Sequence, residues 1–153
     1  GNLALRFVQF GCDVWGMDYS SRMLEEARKK VPNAHLLHVD VEADWPLELR
    51  DSFDRIVSAY TLHHLPLERK ITAVKRMADE LLRDGGSIIV GDVSFPTFSD
   101  RAETRKKLAG VWDDYEYYWA ADEFKTMIWD RGLNVVYEQI SDYGGVYVIV
   151  PAP

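Results

Sequence analysis

The chain has 153 residues, with 18 Lys and Arg against 25 Asp and Glu, which gives a net charge of −7. Its 47% hydrophobic and 12% aromatic residues can form a buried core, and this excludes a disordered or low-complexity chain. No extended basic run suits a phosphate backbone, and no apolar stretch reaches the roughly 18 residues of a membrane span, so we expect binding to neither nucleic acid nor a membrane. The single cysteine excludes an internal disulfide, which favours the cytoplasm. The length suits one domain.

The first part of the chain alternates short helices with short strands. Apolar residues at helical spacing behind Gly1 predict a first helix that Gly11 ends, and a brief strand follows over residues 14–18. Ser20 or Ser21 is placed to cap a second helix that ends at Pro32. Two further strands are predicted over residues 34–39 and 53–60.

The second part continues this alternation and then ends differently. Pro66 precedes the clearest amphipathic helix, which we expect to end at residues 84–86, an Asp-Gly-Gly sequence. The remaining predicted elements are a buried strand over 87–91, a charged helix over 101–108, a helix over 122–131 and two strands over 135–140 and 145–150. Four residues join the last two strands, which is short enough for an antiparallel hairpin.

The order of these elements predicts the fold class. Strands that alternate with helices every 20 to 25 residues or so indicate an α/β fold with a doubly wound, mostly parallel sheet, closed by an antiparallel C-terminal strand. Ligands of such sheets bind at the carboxyl ends of the strands. The candidate functional residues are therefore those that follow the strands.

Two carboxylates stand at such strand ends. Asp18 ends the first visible strand and Asp40 follows the second, one strand–helix–strand repeat later. Both side chains are thus expected at one edge of the sheet, where a carboxylate can accept both hydroxyls of a ribose. The structural alternative for Asp18 is a helix cap, because acidic residues favour helix starts.

Four motifs in this order resemble those of class I S-adenosylmethionine-dependent methyltransferases, in particular the small bacterial enzymes that act on small molecules. The motifs are Val14-Trp15-Gly16-Met17-Asp18-Tyr19-Ser20, Val39-Asp40-Val41-Glu42-Ala43-Asp44-Trp45-Pro46, the stretch from Ser52 to Leu65, and Leu82-Arg83-Asp84-Gly85-Gly86. Each motif is weak by itself, but four at the right spacing over nearly the whole chain are fairly specific. The resemblance implies a Rossmann-like fold, S-adenosyl-L-methionine as cofactor and a small-molecule acceptor.

The resemblance also implies roles for individual residues. They are Asp18 for the ribose hydroxyls, Tyr19 beside the adenine or ribose, Asp40 for the adenine amine, the backbone of Val41 for the ring edge, Ala59 and Tyr60 for the methionine moiety, and Gly1 as the last glycine of a glycine-rich loop. The family's first strand and most of that loop would precede Gly1. We therefore expect residues 1–153 to be a single methyltransferase domain without its N-terminal strand, within a longer protein.

His63 and His64 follow the third strand and are candidates for the base that removes the acceptor's proton. We assign this catalytic role to His64, with packing or pocket shaping as the structural alternative. No metal site is expected, because no third ligand is near these histidines in the sequence. Asp92 is expected either to contact substrate or to cap a loop.

An aromatic segment precedes the last helix and is expected either to cover the acceptor or to pack onto the sheet. It contains Trp112, Tyr115, Tyr117, Tyr118 and Trp119. Aromatic rings suit an apolar or cationic acceptor and shield a sulfonium from water.

Two other functions remain open at the level of sequence. A nicotinamide-dependent (NAD(P)) oxidoreductase also uses a strand-end acid for ribose. A non-catalytic S-adenosylmethionine-binding domain that serves a partner would retain Asp18 and Asp40 without turnover.

Overall fold

The computed structural model describes residues 1–153, which divide into one unit over Gly1–Trp45 and a second over Pro46–Pro153. The first unit contains two helices and two strands: α1 (Asn2–Gln9), β1 (Trp15–Asp18), α2 (Ser21–Lys30) and β2 (His35–His38). The strands pair in parallel, with Asp18 opposite His38. The side chain of Ser20 caps α2 by accepting a hydrogen bond from the amide of Met23 at 3.3 Å, which agrees with the predicted cap.

The second unit is built on a five-stranded sheet. Its strands and helices are β3 (Phe53–Ala59), α3 (Leu67–Arg76), β4 (Leu82–Phe95), α4 (Phe98–Lys107), β5 (Trp119–Ala120), α5 (Ala121–Trp129), β6 (Leu133–Ser141) and β7 (Gly144–Pro151). Short helical turns occupy Leu47–Leu49, Leu62–His64 and Met77–Leu81. None of the helices has the length and apolar character needed to cross a membrane.

The sheet of the second unit has the strand order β3-β4-β7-β6, and β5 pairs with the end of β4. β3 and β4 are parallel, whereas β7 is antiparallel to both β4 and β6. β6 therefore runs in the same direction as β3 and β4, and β7 alone is reversed. The predicted C-terminal hairpin and the predicted mostly parallel α/β fold are confirmed.

The predicted end of the helix after Pro66 was wrong. Helical structure ends at Leu81, and residues 82–86 begin β4 rather than terminate the helix. The reason is strand pairing, because Leu82 lies opposite Phe53 while Ser87 lies opposite Arg55. Residues 83–86, which include the Asp-Gly-Gly sequence, form the irregularity between these two pairs, and Gly85 adopts a positive φ of 74° there, a conformation that glycine accepts without strain.

Aromatic rings form the centre of the second unit. Trp119, Phe124 and Tyr147 are almost completely buried, and the Trp119 ring lies 4.8 Å from that of Phe124 and 4.9 Å from that of Tyr147, centroid to centroid. The Tyr147 hydroxyl satisfies its hydrogen-bonding capacity with the Ser94 hydroxyl at 2.5 Å. These contacts join β4, β5, α5 and β7 in one core.

Substitution of Gly145 by Ala is expected to lower the free energy of unfolding by about 1 to 3 kcal/mol. A Cβ at Gly145 would overlap the ring of Tyr137 on the neighbouring strand, and Tyr147 limits the movement of that ring from a centroid distance of 4.7 Å. Urea unfolding measures the change. Gly91→Ala in β4 is the matched control, because a Cβ there meets no atom within 4 Å; equal effects of the two substitutions would contradict the prediction.

Candidate functional site

Asp18 and Asp40 lie at the same edge of the two-stranded sheet of the first unit. Asp18 is the last residue of β1, and Asp40 comes two residues after β2, which pairs with β1 in parallel register. The half-buried Asp18 carboxylate accepts a hydrogen bond from the amide of Ser20 at 2.8 Å through Oδ1. Oδ2 makes no hydrogen bond, so Asp18 supports the entry to α2 and still has acceptor capacity for a ligand.

The exposed Asp40 carboxylate is also held by the backbone that follows it. Its Oδ1 accepts a hydrogen bond from the amide of Glu42 at 2.9 Å, and the Asp40 carbonyl accepts one from Ala43 at 3.0 Å. Val41, the residue predicted to meet the adenine edge, is half-buried within this turn. The turn leaves the second oxygen of Asp40 without an intramolecular hydrogen bond.

The other predicted cofactor residues of the first unit are Tyr19 and Gly1. Tyr19 is 69% exposed, and its carbonyl accepts a hydrogen bond from Nε2 of His38 at 2.6 Å. Gly1 is the first residue before α1, and a Cβ there would come within 3.0 Å of Cα of Ala27 in α2. The close approach of α1 to α2 therefore favours glycine at this position, because a side chain would press against the backbone of α2.

In the second unit, Ala59 and Tyr60 lie at the carboxyl end of β3. Tyr60 has a φ of 52°, which is uncommon for a residue other than glycine, and its ring is 67% exposed. Its amide donates a hydrogen bond to Gly91 on β4 at 2.9 Å, and the hydroxyl of Thr61 donates to the Ala59 carbonyl at 3.2 Å. Strained backbone of this kind is often found at functional sites.

Asp92 is buried and holds the helical turn Leu62–His64, the histidine turn, in place after β3. Its side chain has no exposed surface, and its two oxygens accept hydrogen bonds from the amide of His63 at 3.1 Å, the amide of Val93 at 2.8 Å and the indole of Trp119 at 3.2 Å. Nδ1 of His63 lies 2.6 Å from Oδ1. With every lone pair turned inward, Asp92 positions His63 and does not reach a substrate.

Glu116 approaches the same turn from the segment between α4 and β5. Its Oε2 lies 3.0 Å from Nδ1 of His64 and 3.5 Å from Nε2 of His63. The side chain of His64, the predicted base, is 54% exposed, whereas that of His63 is 13% exposed. The amide of Tyr117 donates to the His63 carbonyl at 2.7 Å and ties this segment to the histidine turn.

A buried lysine lies near this cluster. Lys70 of α3 is 1% exposed, its Nζ donates a hydrogen bond to the carbonyl of Tyr117, and its amine lies 4.9 Å from the centroid of the Trp119 ring. Burial lowers the pKa of Lys70 from 10.5 to about 8. The smaller electrostatic influences come from Asp92, Glu116 and Glu123, which raise this pKa, and from Arg101, which lowers it.

Raising the pH from about 8 to 10.5 is expected to stabilise the protein relative to its Lys70→Met variant. In this window the unfolded chain still holds a proton on Lys70 that the folded chain has released, so stability rises with pH. Below pH 8 the amine is protonated in both states and the burial penalty is present in full. We expect a change on the order of 2 kcal/mol in the difference between the two unfolding free energies; a constant difference from pH 7 to 10.5 would contradict it.

The aromatic segment divides between core and surface. Trp119 belongs to the core, and Trp112 packs edge-on against Tyr118 with ring centroids 4.8 Å apart. Tyr115 is 90% exposed and Tyr117 is 48% exposed. The packing interpretation therefore holds for Trp119, and only the exposed tyrosines are free to meet a ligand.

Sequence reasoning missed Glu116 and Lys70. Glu116 lies in the aromatic segment and Lys70 in the helix after Pro66, and the sequence pattern assigned a role to neither of them. No third ligand-type residue is near His63 and His64 in the sequence, but in the folded chain Glu116 lies beside both. A lysine on the apolar side of α3 was the one available signal, since a buried lysine needs partners.

The chain matches the family described as "Methyltransferase domain" over residues 1–86. It is 28% identical over 152 residues to an uncharacterized methyltransferase of Bacillus cereus, covering 94% of this chain and 69% of that protein.

Solved structures share the fold. A protein of Pyrococcus horikoshii is similar with a TM-score of 0.79 and 16% identity, over 99% of this chain and 77% of that one. The magnesium protoporphyrin IX methyltransferase of Synechocystis, solved with bound SAH, is similar with a TM-score of 0.74 and 20% identity, over 99% of this chain and 70% of that one. At these identities the likeness shows a common α/β fold.

Proposed function

The chain belongs to the methyltransferase-domain family and is a class I S-adenosylmethionine-dependent methyltransferase, and from this premise we propose that it binds S-adenosyl-L-methionine and methylates a small molecule. The observation that carries the proposal is the pair of carboxylates, Asp18 and Asp40, at the ends of two parallel strands. Each is held by a backbone amide and each keeps a free oxygen.

These residues fit the adenosine part of the cofactor. A half-buried carboxylate at a strand end suits vicinal ribose hydroxyls, and an exposed one in a tight turn suits an exocyclic amine. In the proposal Asp18 accepts from the ribose, Asp40 accepts from the adenine, and Tyr19 and Val41 flank the ring. The roles of Gly1, Ala59 and Tyr60 stay as the family resemblance predicts them.

Bound cofactor supplies an electrophilic methyl group on a sulfonium. An acceptor's lone pair would form the new bond to that methyl carbon, with the electron pair of the broken carbon–sulfur bond left on sulfur. This displacement requires alignment and removal of the acceptor's proton. We propose that the imidazole of His64 takes that proton and that the Glu116 carboxylate, 3.0 Å away, stabilises the imidazolium that forms.

Family membership favours methyl transfer over the nicotinamide-dependent alternative. Two hypotheses then remain, an enzyme and a non-catalytic domain that binds the cofactor for a partner. They differ in whether a group on the acceptor side can remove the acceptor's proton. The exposed His64 beside Glu116 favours an enzyme.

Calorimetric titration of the full-length protein with S-adenosylhomocysteine tests the cofactor. We expect micromolar binding of this ligand and none of NAD or NADP, which serve as controls. Binding of a nicotinamide dinucleotide instead, or of neither ligand by the folded protein, would overturn the proposal. Transfer of a labelled methyl group to members of a small-molecule panel then separates the enzyme from the non-catalytic domain.

His64→Asn is expected to lower the rate of methyl transfer about 100-fold, because a positioned base contributes at least this factor. The affinity for S-adenosylhomocysteine should stay unchanged. His35→Asn, at an exposed histidine at the start of β2 and away from the carboxyl ends of the strands, is the matched control and should retain activity. An unchanged rate in the His64 variant would remove His64 from the mechanism.

A further inference from the structure

Three ligand-type side chains converge on one point of the second unit. The imidazoles of His63 and His64 come from the helical turn after β3, and the carboxylate of Glu116 comes from the segment before β5. One donor atom from each lies within 4.8 Å of the other two. The proposed methyl transfer uses His64 and Glu116, but it gives no role to His63 or to the convergence of all three side chains.

The distances between these atoms suit a shared cation. Oε2 of Glu116 lies 3.0 Å from Nδ1 of His64 and 3.5 Å from Nε2 of His63. Two ligands of a tetrahedral ion at about 2.0 Å from its centre are about 3.3 Å apart. Oε2 is buried and yet makes a hydrogen bond to neither nitrogen. Its contacts thus have the spacing of ligand atoms without the geometry of hydrogen bonds.

Asp92 prepares His63 for this role. Nδ1 of His63 lies 2.6 Å from Oδ1 of Asp92, and the backbone amide of His63 donates to Oδ2 of the same carboxylate. An ionised carboxylate only accepts, so the ring proton is on Nδ1 and the lone pair of Nε2 is directed toward Glu116. A carboxylate behind a histidine is the usual support of a metal-binding imidazole.

The donor set selects the class of ion. Two imidazole nitrogens and one carboxylate suit Zn²⁺ or a similar transition metal, whereas Mg²⁺ and Ca²⁺ prefer oxygen ligands. The half-exposed His64 leaves one side of the cluster open to solvent. We propose that His63, His64 and Glu116 form a binding site for a divalent transition metal of the Zn²⁺ class, with an open fourth position.

Metal binding and the role of His64 as a base exclude one another. A neutral imidazole that holds an ion through Nδ1 carries its proton on Nε2 and has no lone pair left for the acceptor's proton. This consequence rests on the proposed function, whereas the site itself does not. The test therefore measures ion binding and not activity.

The experiment is a calorimetric titration of the full-length protein with ZnCl₂ in a Cys12→Ser background, which removes the exposed thiol as a competing ligand. We expect one Zn²⁺ per chain with micromolar or tighter affinity, and no binding of Mg²⁺. Glu116→Gln and His64→Ala should each weaken Zn²⁺ binding at least tenfold. His64 is half exposed, so its variant is expected to fold even if the Glu116 variant does not.

His35→Gln is the matched control. His35 also lies near a carboxylate, with its Nε2 3.6 Å from Asp13, but it has no third ligand-type neighbour. Its substitution should leave the affinity unchanged. Absence of Zn²⁺ binding by the folded protein, or equal affinity in the His64 and Glu116 variants and their parent, would overturn the site.

Discussion

Replacing Asp18 with Ala is expected to weaken the binding of S-adenosylhomocysteine by about 2 to 4 kcal/mol, because two ribose hydroxyls would lose their charged acceptor. This corresponds to a loss of roughly 30- to 1000-fold in affinity. The carboxylate also accepts a hydrogen bond from the Ser20 amide at 2.8 Å, so part of the effect could arise from the entry to α2.

Two further variants separate these contributions. Asp18→Asn keeps an oxygen that can accept a hydrogen bond from Ser20 but removes the charge. We expect this variant to show most of the loss in affinity that Asp18→Ala shows. Asp13→Asn is the matched control at the opposite end of β1, where the carboxylate is 79% exposed. Calorimetry of all three measures the effect; full affinity in both Asp18 variants would show that Asp18 does not bind the ribose.

Replacing Asp92 with Ala is expected to lower the free energy of unfolding by about 3 to 5 kcal/mol, comparable to the loss of one member of a buried charged network. The substitution would remove the carboxylate that four donors contact: the amide and ring of His63, the amide of Val93 and the indole of Trp119. Unpaired buried donors cost their full desolvation.

Urea unfolding of the wild type and the variant measures this loss. Asp84→Ala on the same strand is the control, because Asp84 is exposed and its removal should change stability by about 0.5 kcal/mol or less. A small effect of the Asp92 substitution would mean that water or a rearranged side chain replaces the carboxylate.

Local patterns predicted most of the secondary structure. The cap at Ser20, the helix after Pro66 and the final hairpin each depend on residues a few positions apart, and the structure contains all three. The end of α3 was predicted wrongly because the pairing of Leu82 with Phe53 took precedence over the glycines that follow. The two-residue strand β5 was missed, since its pairing with Ser94 and Phe95 leaves no local pattern.

The amino-acid sequence by itself determined the α/β class, the family resemblance and the placement of Asp18 and Asp40 at strand ends, because periodicity and capping are properties of neighbouring residues. Only the tertiary structure decided that Glu116 meets His63 and His64, that Asp92 is buried beneath them, and that Lys70 is a core residue. The physical reason is that a charged side chain is buried only where distant segments supply its partners, and no local pattern of residues contains that information.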